Sequence, residues 1–433
     1  MTFPAAFEAE RAEANRKAID SARFAADDSF GRRLAVAARA FVVRRHQQKT
    51  IIAGYPWFLD WGRDSLICAR GLLAAGMVEE VRQLLITFGR FEKDGTLPNI
   101  INGEDASNRD TSDAPLWYGI VCEEAAEILG PELYSIKVDA SGRTVADVLT
   151  SLGRGYYNGA SNGVHADEWT GLIWSPKHFT WMDTNYPAGT PREGYPVEIQ
   201  ALWVRLARQL DRIEAKPPKE GVSWQAVAER AESSLQRYFW LAEEGWFADL
   251  IVARNGVSAQ QGALDTALRS NCLFMVTLGL ATGEQAQRCV AAAARHLIIP
   301  GALRSLAPLP VKLPLPIYGN NGALLNNPER PYCGRYQGDE DTSRKPAYHN
   351  GTAWTWTFPG FCEALAKAFG NDADAVSAAK AYLGSAERLL LRGCVGHLPE
   401  VLDGDLPHRD RGCDAQAWGV TEALRVWKML NQL

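Results

Sequence analysis

The sequence predicts an all-α chain folded as an (α/α)6 barrel, with six inner and six outer helices. Three observations carry this. Six segments open on a polar or aromatic cluster and continue as largely apolar helices. Six others, mostly alternating with them, are amphipathic with charged faces. No low-complexity linker divides the 433 residues, a length that suits one large ring as well as two or three average domains. Helices that are apolar all round belong inside helices with one wet face, so two concentric rings are the economical arrangement.

In chain order, residues 31–46 are amphipathic and belong outside. Arg63-Asp64-Ser65-Leu66 opens the first inner helix, which runs to Gly76. Residues 78–91 return to the outside. Ser112-Asp113-Ala114-Pro115-Leu116-Trp117-Tyr118 opens the second inner helix, to Gly130, and 144–156 follows outside. Tyr195-Pro196-Val197-Glu198-Ile199-Gln200 opens the third, to about Leu210, with 224–240 outside it. The fourth runs from Asp265 to Gly283, then 284–296 outside; the fifth from His349-Asn350-Gly351-Thr352-Ala353-Trp354 to Gly370, then 374–391 outside. Cys413-Asp414-Ala415-Gln416-Ala417-Trp418 opens the sixth, to about Leu430. Ser, Asp and Asn at several starts and Gly at four stops fit helix capping. Two connections exceed plain turns. Residues 157–194 carry Trp169, Trp174, Trp181 and Asp183, and residues 300–348 hold eight prolines and a strand-like stretch at 311–318. Long loops in compact domains are functional or disordered, and the aromatic content argues for ordered pocket walls.

Composition excludes several classes. Hydrophobic residues make up 46%, enough for a large core. A net charge of −5 and a pI of about 5.9 speak against nucleic acid as a partner. Fourteen Trp against thirteen Tyr is a tryptophan-rich balance that suits sugar rings, whose C–H faces stack on indoles. Of the eight Cys, Cys68, Cys122, Cys272, Cys289 and Cys362 fall in apolar helical patterns and read as small buried hydrophobes. There is no C-x-x-C and no H-E-x-x-H string, so no metal and no cofactor are expected. An acidic loop at Asp339-Glu340-Asp341 reads as solvated rather than as a calcium site. The opening Phe7-Glu8-Ala9-Glu10-Arg11-Ala12-Glu13 lacks a basic-then-apolar signal, and no apolar run reaches membrane-spanning length. A cytoplasmic, reduced protein without a membrane partner is expected; oligomeric state stays open.

The chemistry concentrates in two distant strings. Thr180-Trp181-Met182-Asp183 is followed by Thr190-Pro191-Arg192-Glu193-Gly194; Gly396-His397-Leu398-Pro399-Glu400 is followed by Arg411-Gly412-Cys413-Asp414-Ala415-Gln416-Ala417-Trp418. Each sets one carboxylate in an aromatic, turn-rich context ahead of a helix. Two facing carboxylates are what glycosidic-bond hydrolysis needs. Asp183, beside an indole and ahead of a Thr-Asn-Tyr-Pro turn, would have its proton affinity raised by desolvation, as a general acid requires. Glu400 sits where Pro399 blocks helix and would hold water as a base. Asp167, Glu168 and Glu198 are rival carboxylates that spacing alone leaves open. In Pro56-Trp57-Phe58-Leu59-Asp60-Trp61-Gly62-Arg63-Asp64-Ser65, an adjacent Arg and Asp at a helix start offers donor beside acceptor for neighbouring sugar hydroxyls. Arg63, Asp64, Asn350 and Gln416 are expected to hold the sugar, and Trp57, Trp117, Trp181, Trp354 and Trp418 to wall it. Asp60, Trp61, Asp113, Glu198, Tyr348 and His349, from the same strings, complete the expected binding set.

Residues 57–65, 180–183 with 190–203, 348–356 and 400–418 together resemble the C-terminal glucosidase domain of glycogen debranching enzymes, the amylo-α-1,6-glucosidase family. The T-W-M-D, T-P-R-x-G, V-E-I-x-A-L-W and R-G-C-x-A-Q-A-W strings carry it. The resemblance implies an (α/α)6 barrel and hydrolysis of α-1,6-linked glucose with inversion. By motif position it implies Asp183 as general acid and Glu400 as general base, with an α-glucan or oligosaccharide as partner. Arg63-Asp64 resembles, more loosely, the glucose-gripping pair of glucoamylase-like barrels. Inversion would set the carboxyl groups about 6.5–9.5 Å apart. On this reading residues 1–50 are an N-terminal helical extension packed on the barrel and 51–433 the catalytic domain. The stretch ahead of Trp57 is short of the extra domains that larger members carry, which leaves both branched dextrins and isomalto-oligosaccharides as substrates. A phosphorylase or another-linkage glucosidase on the same scaffold, or a non-catalytic glycan-binding subunit, are the alternatives.

Overall fold

The structure, a computed structural model, describes residues 3–185, 189–214 and 221–433. The chain is mostly helical, with fourteen α-helices among the described residues. They are α1 (Phe3–Ala22), α2 (Ser29–Arg39), α3 (Gly62–Ala74), α4 (Val78–Arg90), α5 (Ala114–Leu129), α6 (Val145–Asn158) and α7 (Val197–Ile213). The rest are α8 (Trp224–Phe239), α9 (Phe274–Thr277), α10 (Gly283–His296), α11 (Lys345–Tyr348), α12 (Thr357–Ala368), α13 (Ala373–Gly384) and α14 (Ala417–Gln432). Helices α3, α5, α7, α9, α12 and α14 each touch the next in that order, and α14 touches α3. Around them, α2, α4, α6, α8, α10 and α13 pack against this inner set.

Burial follows the sequence pattern. In α3 every residue from Gly62 to Leu73 is buried, whereas α4 buries one face through Val81, Leu84, Leu85 and Phe88. Helices α3 and α14 approach closely: a Cβ on Gly71 would lie 2.2 Å from the Thr421 carbonyl oxygen. The five expected buried cysteines are all buried.

The two layers begin their helices differently. Asp28, Thr144, Ser223 and Asp372 cap four outer helices by accepting from backbone N–H groups of the first turn. Among the inner helices none has a side-chain cap, and α3, α7 and α14 are entered from short strands instead. Asp60–Trp61 pairs with Ile100–Ile101; Gly194–Pro196 pairs with Leu250–Val252; Ala415–Gln416 pairs with Gly54–Tyr55. A five-stranded antiparallel sheet runs Ile298–Ile299, Ala302–Arg304, Ala353–Trp354, Val401–Leu402, Asp410–Arg411. Its register places Trp354 opposite Val401, the residue after Glu400.

Several expected elements differ. Residues 31–46 are not one helix: α2 stops at Arg39, and Val42–Arg45 pairs as a hairpin with Gln48–Ile51, the β-branched Val42 and Val43 fitting a strand. α2 also packs on α14, so the N-terminal segment is part of the outer layer rather than a purely helical addition. The fourth inner helix shrinks to α9 after a 3₁₀ turn, Ser270–Leu273. The Asn271 amide is engaged by Asp249 and Trp181, and Gly279 at φ +78° breaks the helix. The fifth begins at Thr357 because Ala353–Trp354 is taken into the sheet. Residues 311–318 form no named strand, their prolines lacking the N–H that a ladder needs. The turn expected after Asp183 runs into residues 186 and 187, which lie outside the described residues.

Candidate active site

The strand pairings at the helix starts bring both strings to the end of the molecule where the inner helices begin. There a cavity of about 130 Å³ is lined by Phe58, Trp61, Arg63, Asp64, Trp181, Asp183, Tyr348, Trp354, Glu400, Gln416 and Trp418. Ten of these eleven are in the expected set. Trp61, Asp183 and Tyr348 also border a wider trench of about 680 Å³, whose walls include Asn99, Asn108, Asp110, Lys177, His178 and Tyr336. The site is therefore a small inner chamber opening into an outer trench, with Asp183 at the junction and Glu400 in the chamber.

Glu400 is held on both oxygens. The Tyr348 hydroxyl donates to Oε1, and the Cys413 backbone N–H donates to Oε2 at 2.8 Å. Both bonds favour the ionised form, but burial and the nearby Asp183 charge push this carboxyl up to about 7. The Cys413 bond needs the preceding Gly412, which sits at φ +69°; a Cβ there would come within 2.2 Å of Oε2. Asp64 is likewise pushed up to about 7, by burial and by the charges of Asp183 and Glu400, against the pull of Arg63. Asp183, with a third of its side chain exposed, is raised by burial, which outweighs Arg63 at 3.2 Å.

Aromatic packing fixes the walls. The Trp181 ring meets His349, Trp354 and Trp356 edge-on at 5.4, 5.2 and 5.0 Å, and its N–H donates to Asn271 at 2.7 Å. Trp356 stacks on Trp418 at 4.8 Å. In the chamber, Gln416 Oε1 and Trp418 Nε1 are buried and have no hydrogen-bond partner among the described residues. Such groups cost free energy until a ligand supplies the missing hydrogen bonds.

The other expected residues lie elsewhere, each for a physical reason. Trp57 points outward and is 57% exposed, touching Phe58 edge-on. Asp60 is buried beneath the chamber and accepts from Arg45 and Ser65. Asp113 is buried on Arg63, Nε to Oδ2 2.5 Å, behind the wall. Trp117, one turn into α5, lies outside the chamber lining, under the Arg70 guanidinium. Glu198 is locked in a bidentate pair with Arg192. His349 is buried flat against Trp354, its Nδ1 bonded to Thr184; burial, then the nearby arginines, push its pKa well below the ordinary value. Asn350 is taken up by Arg269, Gly189 and Pro346. Of the rival carboxylates, Asp167 closes a turn onto Thr170 and Glu168 is exposed.

The sequence reading missed Phe58, although it stands within the aromatic string before Arg63, and Gly412, whose role lies in the string before Trp418. Asn99, Asn108, Lys177 and Tyr336 belong to separate loops, and no local pattern marks them. The chamber offers two carboxyls of raised proton affinity at Asp64 and Glu400 and a third at Asp183. It also offers the Arg63 cation and polar groups with no partner among the described residues. That set can transfer protons to and from a bound polyol.

A 127-residue stretch is 29% identical to the periplasmic trehalase of Salmonella newport, covering 28% of this chain and 21% of the trehalase. The chain thus matches about a fifth of the length of such curated relatives. A GH63 mannosylglycerate hydrolase from Thermus thermophilus, solved with glucose, has a similar fold. Its TM-score is 0.58 at 16% identity, over 87% of this chain and 95% of that one. A rhamnosidase from Klebsiella oxytoca with rhamnose bound gives 0.55 at 13% identity, over 93% and 65%. The amylo-alpha-1,6-glucosidase family profile matches residues 36–425, and the chain belongs to that family.

Proposed function

We propose that this protein is an inverting glycoside hydrolase that removes one terminal glucose from an α-1,6-linked dextrin or isomalto-oligosaccharide. The closed succession of inner helices supports an (α/α)6 barrel as its frame. The observation that carries the mechanism is the different placement of the two carboxyls. Asp183 borders both chamber and trench, where the oxygen between the bound sugar and its leaving group would lie. As general acid it gives that oxygen a proton. Glu400 borders the chamber and is braced by two donors that favour its ionised form, as a base needs. It takes a proton from water attacking the opposite face of C1, so the product leaves with inverted configuration. Arg63, Asp64, Gln416 and the Trp418 N–H bind the sugar hydroxyls, and the chamber indoles exclude bulk water.

The trehalase match favours a second reading, an α-glucosidase for another short substrate such as trehalose. The free cysteines suit a reducing, cytoplasmic setting. Proton NMR of the anomeric region, with isomaltose, panose, a glucosyl-branched dextrin and trehalose, separates the readings. β-Glucose appearing first from an α-1,6 substrate is the expected result. First release of α-glucose would overturn the role of Glu400. Release that depends on added phosphate would make the enzyme a phosphorylase, and binding without release would make it a glycan-binding subunit.

A further inference from the structure

Asp113 is a buried carboxylate that the mechanism above does not use. It is 1% exposed, occupies the cap position of α5 without capping it, and lies outside the chamber lining. Its oxygens go to the Thr111 hydroxyl at 2.8 Å and to Arg63 Nε at 2.5 Å. Arg63 in turn reaches Asp183 through Nη1 at 3.2 Å and the Phe179 carbonyl through Nη2 at 3.3 Å. One guanidinium thus joins two carboxyls, one bound to it at short range and one held more loosely.

This arrangement meets a conflict. A general acid must carry its proton, yet a buried arginine beside a carboxyl favours the ionised form. Facing Asp183 are Arg63 and Asp64 from α3, Asp113 ahead of α5, Tyr348 from α11, and Glu400. Across the trench stand Asp110, Lys177, His178, Tyr336, Glu340 and Lys345, the last already paired with Asp341 at 2.7 Å. Among the charged side chains of the chamber lining, Arg63 draws the proton off, helped by a backbone hydrogen bond to Asp183. The Asp113 charge opposes it at closest range, consistent with the raised proton affinity of Asp183.

We propose that Asp113 is a positioning residue acting through Arg63: it takes up the guanidinium charge so that Arg63 can orient Asp183 without stripping its proton. The proposal rests on Asp183 as general acid. Its test compares the wild type with Asp113→Asn and with Thr111→Val, which removes a donor to Asp113 but keeps the charge. In the pH profile of kcat/KM, Asp113→Asn moves the alkaline limb, where the acid loses its proton, to lower pH by about one unit or more. Thr111→Val leaves that limb in place. Carbon-13 titration of the Asp183 carboxyl in the substrate-free full chain, assigned by its loss in Asp183→Asn, falls in parallel. An unmoved limb together with an unmoved carboxyl midpoint in Asp113→Asn overturns the proposal. A limb moved equally by Thr111→Val makes the effect one of geometry and also overturns it. If Asp113→Asn does not fold, the wild-type titration decides. A midpoint above the ordinary aspartate range supports the proposal and one at or below that range defeats it. Should Asp183→Asn keep full activity, the acid assignment fails, and the carboxyl titration still reports the coupling through Arg63 separately.

Discussion

Buried charge collects both at the site, where the inner helices begin, and deeper among those helices, away from the site, and the two ends handle it in opposite ways. At the site end, Asp64, Asp113 and Asp183 share one guanidinium, Arg63, while Glu400 lies near Asp183 and is held by two uncharged donors. At the far end, Glu124, Glu363 and Glu422 meet Arg70, Lys367 and Arg425, acid for base. Arg425 lies 2.6 Å from Glu363 and 2.7 Å from Glu422, and Arg70 2.7 Å from Glu124. Burial raises the proton affinity of carboxyls at both ends. At the far end the flanking cations outweigh it and hold Glu363 well below the ordinary range; at the site end Glu400 and Asp64 rise to about 7. The far end closes round a space of about 30 Å³, enough for a water, while the site end opens into a trench. Matched charge ties the inner helices together; unmatched charge leaves carboxyls able to exchange protons. The number of cations, not burial, separates a structural end from a reactive one.

The largest expected effect tests the unmatched end. Asp183→Asn and Glu400→Gln each lower kcat by about 10³-fold or more with the fold intact, read by glucose release and circular dichroism. Their stability response sharpens the contrast. Folded Glu400 keeps its proton up to about 7, whereas the unfolded chain releases it in the ordinary carboxylate range. Wild-type stability therefore declines as pH rises across that interval, and Glu400→Gln loses the share of the decline that Glu400 contributes, Asp64 keeping its own. Its thermal midpoint near pH 8 is equal to or above that of wild type. A Glu400→Gln protein clearly less stable than wild type at that pH would show that the carboxylate is a structural support.

At the matched end the signs reverse. Arg425→Ala leaves Glu363 and Glu422 buried without their shared partner and costs about 3–5 kcal/mol in urea unfolding. Activity per folded molecule and KM stay unchanged. Because Glu363 is depressed in the folded state, its support is present above the ordinary carboxylate range and is lost as pH falls through the lower folded value. Loss of catalysis in folded Arg425→Ala would break the separation between the ends.

Gly412→Ala probes how closely the base is held. The new methyl would press on Glu400 Oε2 and would need a left-handed backbone, so the carboxylate shifts. A displacement of this kind lowers kcat about 10²-fold, while KM for isomaltose changes little. A KM that rises in step with the fall would mean that Gly412 shapes sugar binding instead.

What the sequence made legible, and what it hid, follows the same division. The helices buried all round and those with one wet face were readable because periodicity reports burial directly. Arg63, Asp64, Asp183, Glu400 and Gln416 could be named because each stands in a turn-rich string beside indoles. Strings do not report which way a side chain points. Trp117 opens an inner helix like its neighbours, yet its position on the turn sends it to the far end under Arg70. Asp113, Glu198 and Asn350 stand in strings as suggestive as that of Asp183, but their partners Arg63, Arg192 and Arg269 engage them internally. The trench residues Asn99 and Lys177 come from separate loops that tertiary structure alone joins. The shortened α9 was hidden for the same reason, since tertiary bonds of Asn271 override helix propensity.

The smallest effect concerns Tyr348, whose hydroxyl is the one side-chain donor to Glu400 among the described residues. Its ring is held by His349, Trp354 and Tyr336 at 4.7–5.2 Å, so Tyr348→Phe keeps the packing and removes the donor. That bond favours the ionised base; without it Glu400 keeps its proton to higher pH. The acidic limb of kcat/KM, where the base becomes protonated, then moves upward. A hydrogen bond to a charged group contributes about 1.5–3 kcal/mol, which corresponds to a shift of about one to two pH units. Above the shifted limb the variant regains most of its rate, because the Cys413 N–H still orients Oε2. A uniform loss at all pH values would instead assign Tyr348 to substrate contact, and an unmoved profile would assign the tuning of the base to the Cys413 amide. In either case the two donors on Glu400 are distinguished by where the profile moves, which the matched cluster at the far end, with its charges already paired, has no means of reproducing.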